Sequence, residues 1–267
     1  MHPVFFHIGN FEVSSFGIMV ALGALVGLWL FKRELAARSV PASALDAAIA
    51  GLLGGMIGAK LLFVAEHAGQ EPFLTLLLDR GGLSWFGGFA GGIGLGALTL
   101  MLRKLSILRA LAAVTPALAI GQMFGRFGCF LVGDDYGRPT SLPWGVAFPE
   151  GLPPTEARVH PTQLYEAAFL GLLTLLLLRW SRRGASDRLL VARYLLLAGA
   201  TRFLIEFIRV NTRVALGLTV AQFASLGLVG AGLVIWLAPS RAATAAKGKS
   251  VHAAPGFGKP NDGPKLT

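Results

Sequence analysis

The chain reads as an all-α integral membrane protein of about seven transmembrane helices, with its N-terminus out, its C-terminus in and one long external loop. Composition, the length of the apolar runs and the placement of the cations carry that reading. Of 267 residues, 54% are hydrophobic and only 14% charged, against about 25% charged in a typical soluble domain. Several apolar runs reach the roughly 20 residues that a helix needs to cross about 30 Å of hydrocarbon. Lys and Arg collect in alternate connecting segments, as the positive-inside rule requires.

Hydropathy places the spans near residues 13–31, 45–65, 86–102, 108–124, 162–180, 189–208 and 216–238. Lys32, Arg33 and Arg38 follow the first; Arg103, Lys104 and Arg109 the third; Arg182, Arg183 and Arg188 the fifth; Arg241, Lys247, Lys249, Lys259 and Lys265 the last. These segments are expected on the cytoplasmic side. The segments between them are balanced by Glu71, Asp79, Asp134, Asp135, Glu150 and Glu156, which puts the N-terminus and the loop 126–161 outside. The first twelve residues carry no Lys or Arg and lead into a span-length run, so a cleaved signal peptide is not expected. Residues 1–239 are expected to form a single membrane domain. Residues 240–267, rich in Ala, Gly, Pro and Lys, are expected to be a disordered basic cytoplasmic tail.

The net charge of +10 and pI near 10.5 do not indicate nucleic acid, because the cations flank membrane spans, where anionic headgroups attract them. A single cysteine, Cys129, excludes an intrachain disulfide. Among Phe127, Phe130 and Leu131, and 31 positions from His160, it reads as a small buried residue rather than a nucleophile. The five histidines show no metal-ligand spacing. Neither a metal nor a cofactor is expected.

Three polar clusters interrupt the apolar pattern. GRFGCFLVGDDYGR, residues 125–138, sets two arginines, two aspartates and four glycines at the end of an apolar run. HPTQLYE, residues 160–166, precedes the next run, and Arg202, Glu206 and Arg209 lie in or beyond the one after. Ionisable groups at membrane depth are expensive and mark functional interiors. Arg202 and Glu206, one turn apart, are placed to pair. Gly51, Gly54, Gly55 and Gly58 in the second span, and Gly87, Gly88, Gly91, Gly92, Gly94 and Gly96 in the third, form small-residue faces that let helices approach closely. The GGLSWFGG stretch, residues 81–88, is dense enough in glycine to form either a packed helix start or a re-entrant turn whose amides face a headgroup.

These landmarks, in their order and spacing over roughly residues 14–238, resemble the bacterial prolipoprotein diacylglyceryl transferases. The resemblance rests on GGLSWFGG, GRFGCFLVGDDYGR, HPTQLYE and TRFLIEFIR, residues 201–209. It implies a multi-pass protein of the bacterial inner (cytoplasmic) membrane. It also implies an enzyme that moves a diacylglyceryl group from phosphatidylglycerol to the lipobox cysteine thiol of a prolipoprotein signal peptide, forming a thioether and releasing glycerol phosphate. Its partners are then phosphatidylglycerol, the prolipoprotein and surrounding membrane lipids, with no nucleic acid.

Such a transfer requires an anionic headgroup to be held, a departing phosphate to be stabilised and a thiol proton to be taken. Arginine suits the first two tasks, because its charge is permanent and its forked donors match phosphate oxygens. Arg126 and Arg202 are the principal candidates, with Arg138 and Arg209 in support. Asp134 and Asp135 either orient those arginines or supply the base, and Gly133 and Gly137 let the loop turn sharply. His160 is a second candidate base; Gln163, Tyr165, Glu166 and Glu206, with Ser84, Gly87 and Gly88, are candidates for holding substrate. Pro161 marks the helix start. The chain departs from the family pattern at Phe86, where histidine is usual, at Cys129 and Val132, where asparagine is usual, and at Asp134, where glutamate is usual. Those departures motivate an alternative, a non-catalytic phospholipid-binding or lipid-translocating protein derived from the same family. A solute transporter fits less well, because matching halves with interrupted helices are not visible in the sequence.

Overall fold

A computed structural model describes residues 4–8, 11–79 and 82–238. Contacts group Met1–Trp236 into one unit and Leu237–Thr267 into another, of which only Leu237 and Ala238 are described. The expected tail at 240–267 and Gly81 therefore lie outside the described residues. The chain opens with a hairpin of β1 (Val4–Ile8) and β2 (Phe11–Ser14) and then enters α1 (Ser15–Ala37). There follow α2 (Leu45–Glu66), a short α3 (Phe73–Leu78), α4 (Trp85–Leu102) and α5 (Ile107–Val132). An antiparallel pair, β3 (Val146–Phe148) and β4 (Thr155–Val159), precedes α6 (Thr162–Arg182) and α7 (Asp187–Ile205). A small hairpin, β5 (Arg213–Ala215) with β6 (Leu218–Thr219), leads into α8 (Val220–Leu237).

Five of these helical segments are long and apolar enough to cross a membrane, those of α1, α2, α5, α6 and α8. The apolar stretch of α4, Phe86–Leu102, is shorter, and α7 carries Arg188, Arg193 and Arg202 within nineteen residues. Arg193 is accommodated between aromatic rings, 4.6 Å from the centroid of Trp180 on α6 and 5.8 Å from that of Trp236 on α8. Flat guanidinium faces favour such stacking, which keeps the charge away from bare hydrocarbon.

Helix α5 is the longest and runs further than hydropathy indicates. The span expected at 108–124 continues to Val132, so the loop expected from Arg126 begins at Gly133 instead. The one glycine between Arg126 and Val132, Gly128, stays within the helix and packs on Phe16 and Met19 of α1. The stop comes where Gly133 takes φ 77° and its N–H bonds the Cys129 carbonyl, a glycine C-terminus that other residues adopt only with strain. Pro116, inside the helix, cannot donate to the Ala112 carbonyl one turn back; the Thr115 hydroxyl donates to that oxygen at 3.0 Å. The helix therefore survives its proline in a medium that supplies no water to the freed carbonyl.

Helix contacts follow the glycines. On α2 and α4, a Cβ at Gly54 would meet the Gly91 carbonyl oxygen at 2.5 Å, and one at Gly58 would overlap that of Gly87. On α1 and α5, Gly23 and Gly27 face the backbone of Gly121 and Ala117. The stretch after α5 folds as a small cap: Leu152 bonds Gly133, Thr140 bonds Arg158, and Arg138 bonds both His160 and Ile208 through the backbone. Tyr136 stacks on the buried Phe148 at 5.4 Å, and Phe130 meets the same ring edge-on. This cap hangs over the C-terminal ends of α5 and α7 and the N-terminal end of α6, where the polar clusters converge.

Candidate functional site

Each arginine of the three clusters is brought to its place by a different element. Arg126 sits near the end of α5, Glu166 in the first turns of α6 and Arg202 in the last turn of α7. Glu206 and Arg209 come from the 3-10 turn Glu206–Ile208 and the residue after it, and Asp135 from the cap. Together they form a closed ring of alternating charge. Arg126 pairs with Asp135 at 2.8 Å on one side and with Glu166 on the other. Glu166 reaches Arg202 at 2.9 Å, and Arg202 reaches Glu206 at 2.8 Å. Glu206 faces Arg209 at 3.8 Å, and Arg209 pairs with Asp135, which closes the circuit.

The ring is unevenly buried. Glu206 and Arg209 side chains are 0% and 3% exposed, Arg126 and Arg202 23% and 25%, and Asp135 41%. Buried charges are stable only when paired and hydrogen-bonded. Glu206, the deepest, also accepts hydrogen bonds from Asn211 at 2.6 Å and Thr219 at 2.8 Å. Thr219 in turn caps α8 in a reciprocal box with Gln222, each side chain accepting from the other's backbone N–H. The open side of the ring is therefore the one formed by Arg126, Arg202 and Asp135.

Asp135 adopts φ 62°, the left-handed region that aspartate tolerates better than most residues. Gly137 is required by space: a Cβ there would lie 2.7 Å from the Ile208 carbonyl oxygen and 2.8 Å from the Thr162 methyl. The Thr162 hydroxyl donates to the Asp135 carbonyl at 2.8 Å, and the Gln163 amide donates to that of Asp134. The start of α6 thus grips the cap backbone directly, with Pro161 as the residue before its first turn rather than within it.

The two aspartates differ in environment. Burial lifts the Asp134 carboxyl above the ordinary carboxylate value, while a hydrogen bond with Cys129 pulls the other way. Burial acts on Asp135 in the same sense, but Arg209 and Arg126 outweigh it and hold that carboxyl below the ordinary value. Asp134 Oδ1 and Gln163 Oε1 are buried without a hydrogen-bond partner among the described residues. Cys129 is buried one turn beyond Arg126. Its sulfur and the two aspartates lie within 4.8 Å of one another, but Asp135 is committed to two arginines, so this trio is poorly suited to a cation.

Other predicted residues lie around or away from the ring. His160 Nδ1 contacts the Tyr165 hydroxyl at 3.3 Å, and Trp144 donates to that hydroxyl at 2.8 Å, so these three form a wall of the cap. The Arg138 side chain is exposed. Ser84, Gly87 and Gly88 are placed at the α2–α4 contact: Ser84 donates to Glu66, while Gly87 and Gly88 pack on Gly58, Gly55 and Ala59. Ser84 and Gly88 also line an open cavity of about 460 Å³ with Ala59, Leu83 and Phe89. In place of a re-entrant turn, α4 is helical from Trp85 onward. The sequence reading underrated Glu166, which joins Arg126 to Arg202, and missed Asn211 and Thr219. The Thr219-x-x-Gln222 box ahead of an apolar run was the available signal for the last.

These features define a class, a helical membrane protein in which arginines and carboxylates from three helices and a cap pair at the helix ends. The sequence model of the prolipoprotein diacylglyceryl transferase family matches residues 3–238, and the chain belongs to that family. A phosphatidylglycerol–prolipoprotein diacylglyceryl transferase of Clostridium tetani is 32% identical over 88% of this chain and 97% of its own length. Proteins of the same name from Pseudoalteromonas translucida and Rhodospirillum rubrum are 33% and 32% identical, over 88% and 90% of this chain and 92% and 93% of their own.

Proposed function

We propose that this chain transfers a diacylglyceryl group from phosphatidylglycerol to the lipobox cysteine of a prolipoprotein signal peptide, as a seven-span enzyme of the bacterial inner membrane. The N-terminus and the cap then lie outside and the cationic segments inside, in keeping with the distribution of Lys and Arg. The observation that carries the reading is the alternating ring with Arg126 and Arg202 on its open side. As it stands the ring is neutral, so an added phosphate must displace a carboxylate. Asp135 is the one that gives way, being the most exposed member and carried by the cap rather than by a helix. Its departure leaves Arg126 and Arg209 to the phosphate, with Arg202 beside them and Arg138 at the rim.

In the reaction the peptide thiolate sulfur forms a bond to the terminal glycerol carbon of the diacylglyceryl group. The carbon–oxygen bond to phosphate breaks, and its electron pair leaves on glycerol phosphate, where the arginines neutralise the developing charge. The thiol proton passes to Asp134, whose carboxyl is raised by burial and whose Oδ1 has no competing partner. His160, turned toward Tyr165, shapes the wall against which the peptide lies.

Membrane vesicles containing the protein and phosphatidylglycerol should convert a lipobox peptide to its thioether form. Arg126→Ala and Arg202→Ala should each lower the rate by about a hundredfold or more, the magnitude expected when a preorganised charge is removed from a developing anion. Binding of phosphatidylglycerol with no peptide modification would sink the enzyme reading and leave a lipid-binding protein.

A further inference from the structure

Gln122 is a polar residue in the middle of α5 that the transfer chemistry does not use. Its side chain is exposed, and Nε2 donates to the Tyr194 hydroxyl of α7 at 2.8 Å. Tyr194 is nearly buried, so the pair is anchored from inside and reaches outward. An amide has two N–H groups and a carbonyl; the second N–H and Oε1 have no hydrogen-bond partner among the described residues. An exposed amide at membrane depth is unfavourable unless a polar group meets it.

Its position along the helix indicates what that group is. Gln122 lies four residues before Arg126, one turn or about 6 Å along the axis. One and three turns further back from Gln122 on the same face are Leu118 and Leu111, 43% and 42% exposed. Read from its C-terminal end, this stripe presents a guanidinium, an amide and then apolar side chains. A glycerophospholipid presents the complementary order along its length: phosphate, ester carbonyls, acyl chain.

We infer that Gln122, held by Tyr194, donates its second N–H to an acyl ester carbonyl of the lipid donor while the phosphate lies at Arg126, and so makes the site selective for ester-linked glycerolipids. This rests on the transferase reading above. Gln122 touches the substrate, and Tyr194 acts as a positioning residue through it.

The test compares phosphatidylglycerol with a diether analogue that keeps the phosphate and both chains but lacks the carbonyls. Native protein in vesicles should favour the diester in kcat/KM by roughly three- to tenfold, the worth of one hydrogen bond. Gln122→Met should bring that ratio to near one by losing diester activity, with diether turnover retained. Tyr194→Phe, which removes only the hydroxyl, should lower the ratio part of the way. Retained diether turnover shows that each variant is folded. An unchanged ratio in the variants, or no preference in the native protein, overturns the inference alone; native protein that uses neither donor overturns the transferase reading itself.

Discussion

The α2–α4 contact and the α5–α6–α7 ring solve the same problem, holding helices together without help from water, in opposite ways. At α2–α4 side chains are removed: Gly54, Gly58, Gly87 and Gly91 bring backbones into contact, and dispersion does the rest. At the ring side chains are added, and each charge is acceptable because the next is its opposite. The first contact is intolerant of one extra atom. The second is intolerant of one lost charge, and its Arg126, Arg202 and Asp135 side is open. Packing and the proposed chemistry thus occupy different helix pairs.

The largest effect is expected where a ring charge is removed. Glu166→Ala leaves Arg126 and Arg202 without their shared partner and should destabilise the fold by about 3–5 kcal/mol, seen as a lower thermal midpoint in detergent micelles. A midpoint within a degree of the native value would show that the ring does not act as a unit. Next, Gly58→Val should cost about 1–3 kcal/mol through forced separation of α2 and α4, with the KM for phosphatidylglycerol unchanged. A raised KM instead would tie the α2–α4 contact to the lipid site and erase the distinction drawn above.

Smaller changes probe the supports of the ring. Thr219→Val removes both the α8 cap and a hydrogen bond to Glu206 and should cost about 1–2 kcal/mol, whereas Thr219→Ser should recover most of it. The smallest effect concerns Asp135. Its native carboxyl is held below the ordinary value of 3.8, so its stabilising contribution is complete above that value and is lost as pH falls through the depressed native one. Asp135→Asn should therefore lower the thermal midpoint in the neutral region, where the native carboxylate contributes, and flatten the acid limb so that the two profiles converge below about pH 4. An acid limb identical to the native one would place the titration elsewhere.

Much of the site was legible as residues but not as a circuit. Arg202 and Glu206 could be paired from sequence because a helix brings residues four apart together. The link from Arg126 through Glu166 to Arg202 spans three helices, and no local periodicity encodes it. The end of α5 was misplaced for a related reason. Hydropathy treats Arg126 as the point where a span leaves the membrane, although its neutralising partners sit on α6 and the cap. At residues 82–88 glycine density left packing and headgroup contact equally open, and the position of α2 decided for packing.

By itself, then, the amino-acid sequence determined the membrane class, the apolar helices, their glycine faces and the three polar clusters, since hydropathy, glycine content and intrahelical spacing act over a few residues. Tertiary structure alone decided that six charges from α5, α6, α7 and the cap close on one another, and that Gln122 faces outward one turn beneath Arg126. The reason is physical: a charge at membrane depth is set by what neutralises it, and its partners lie tens of residues away along the chain.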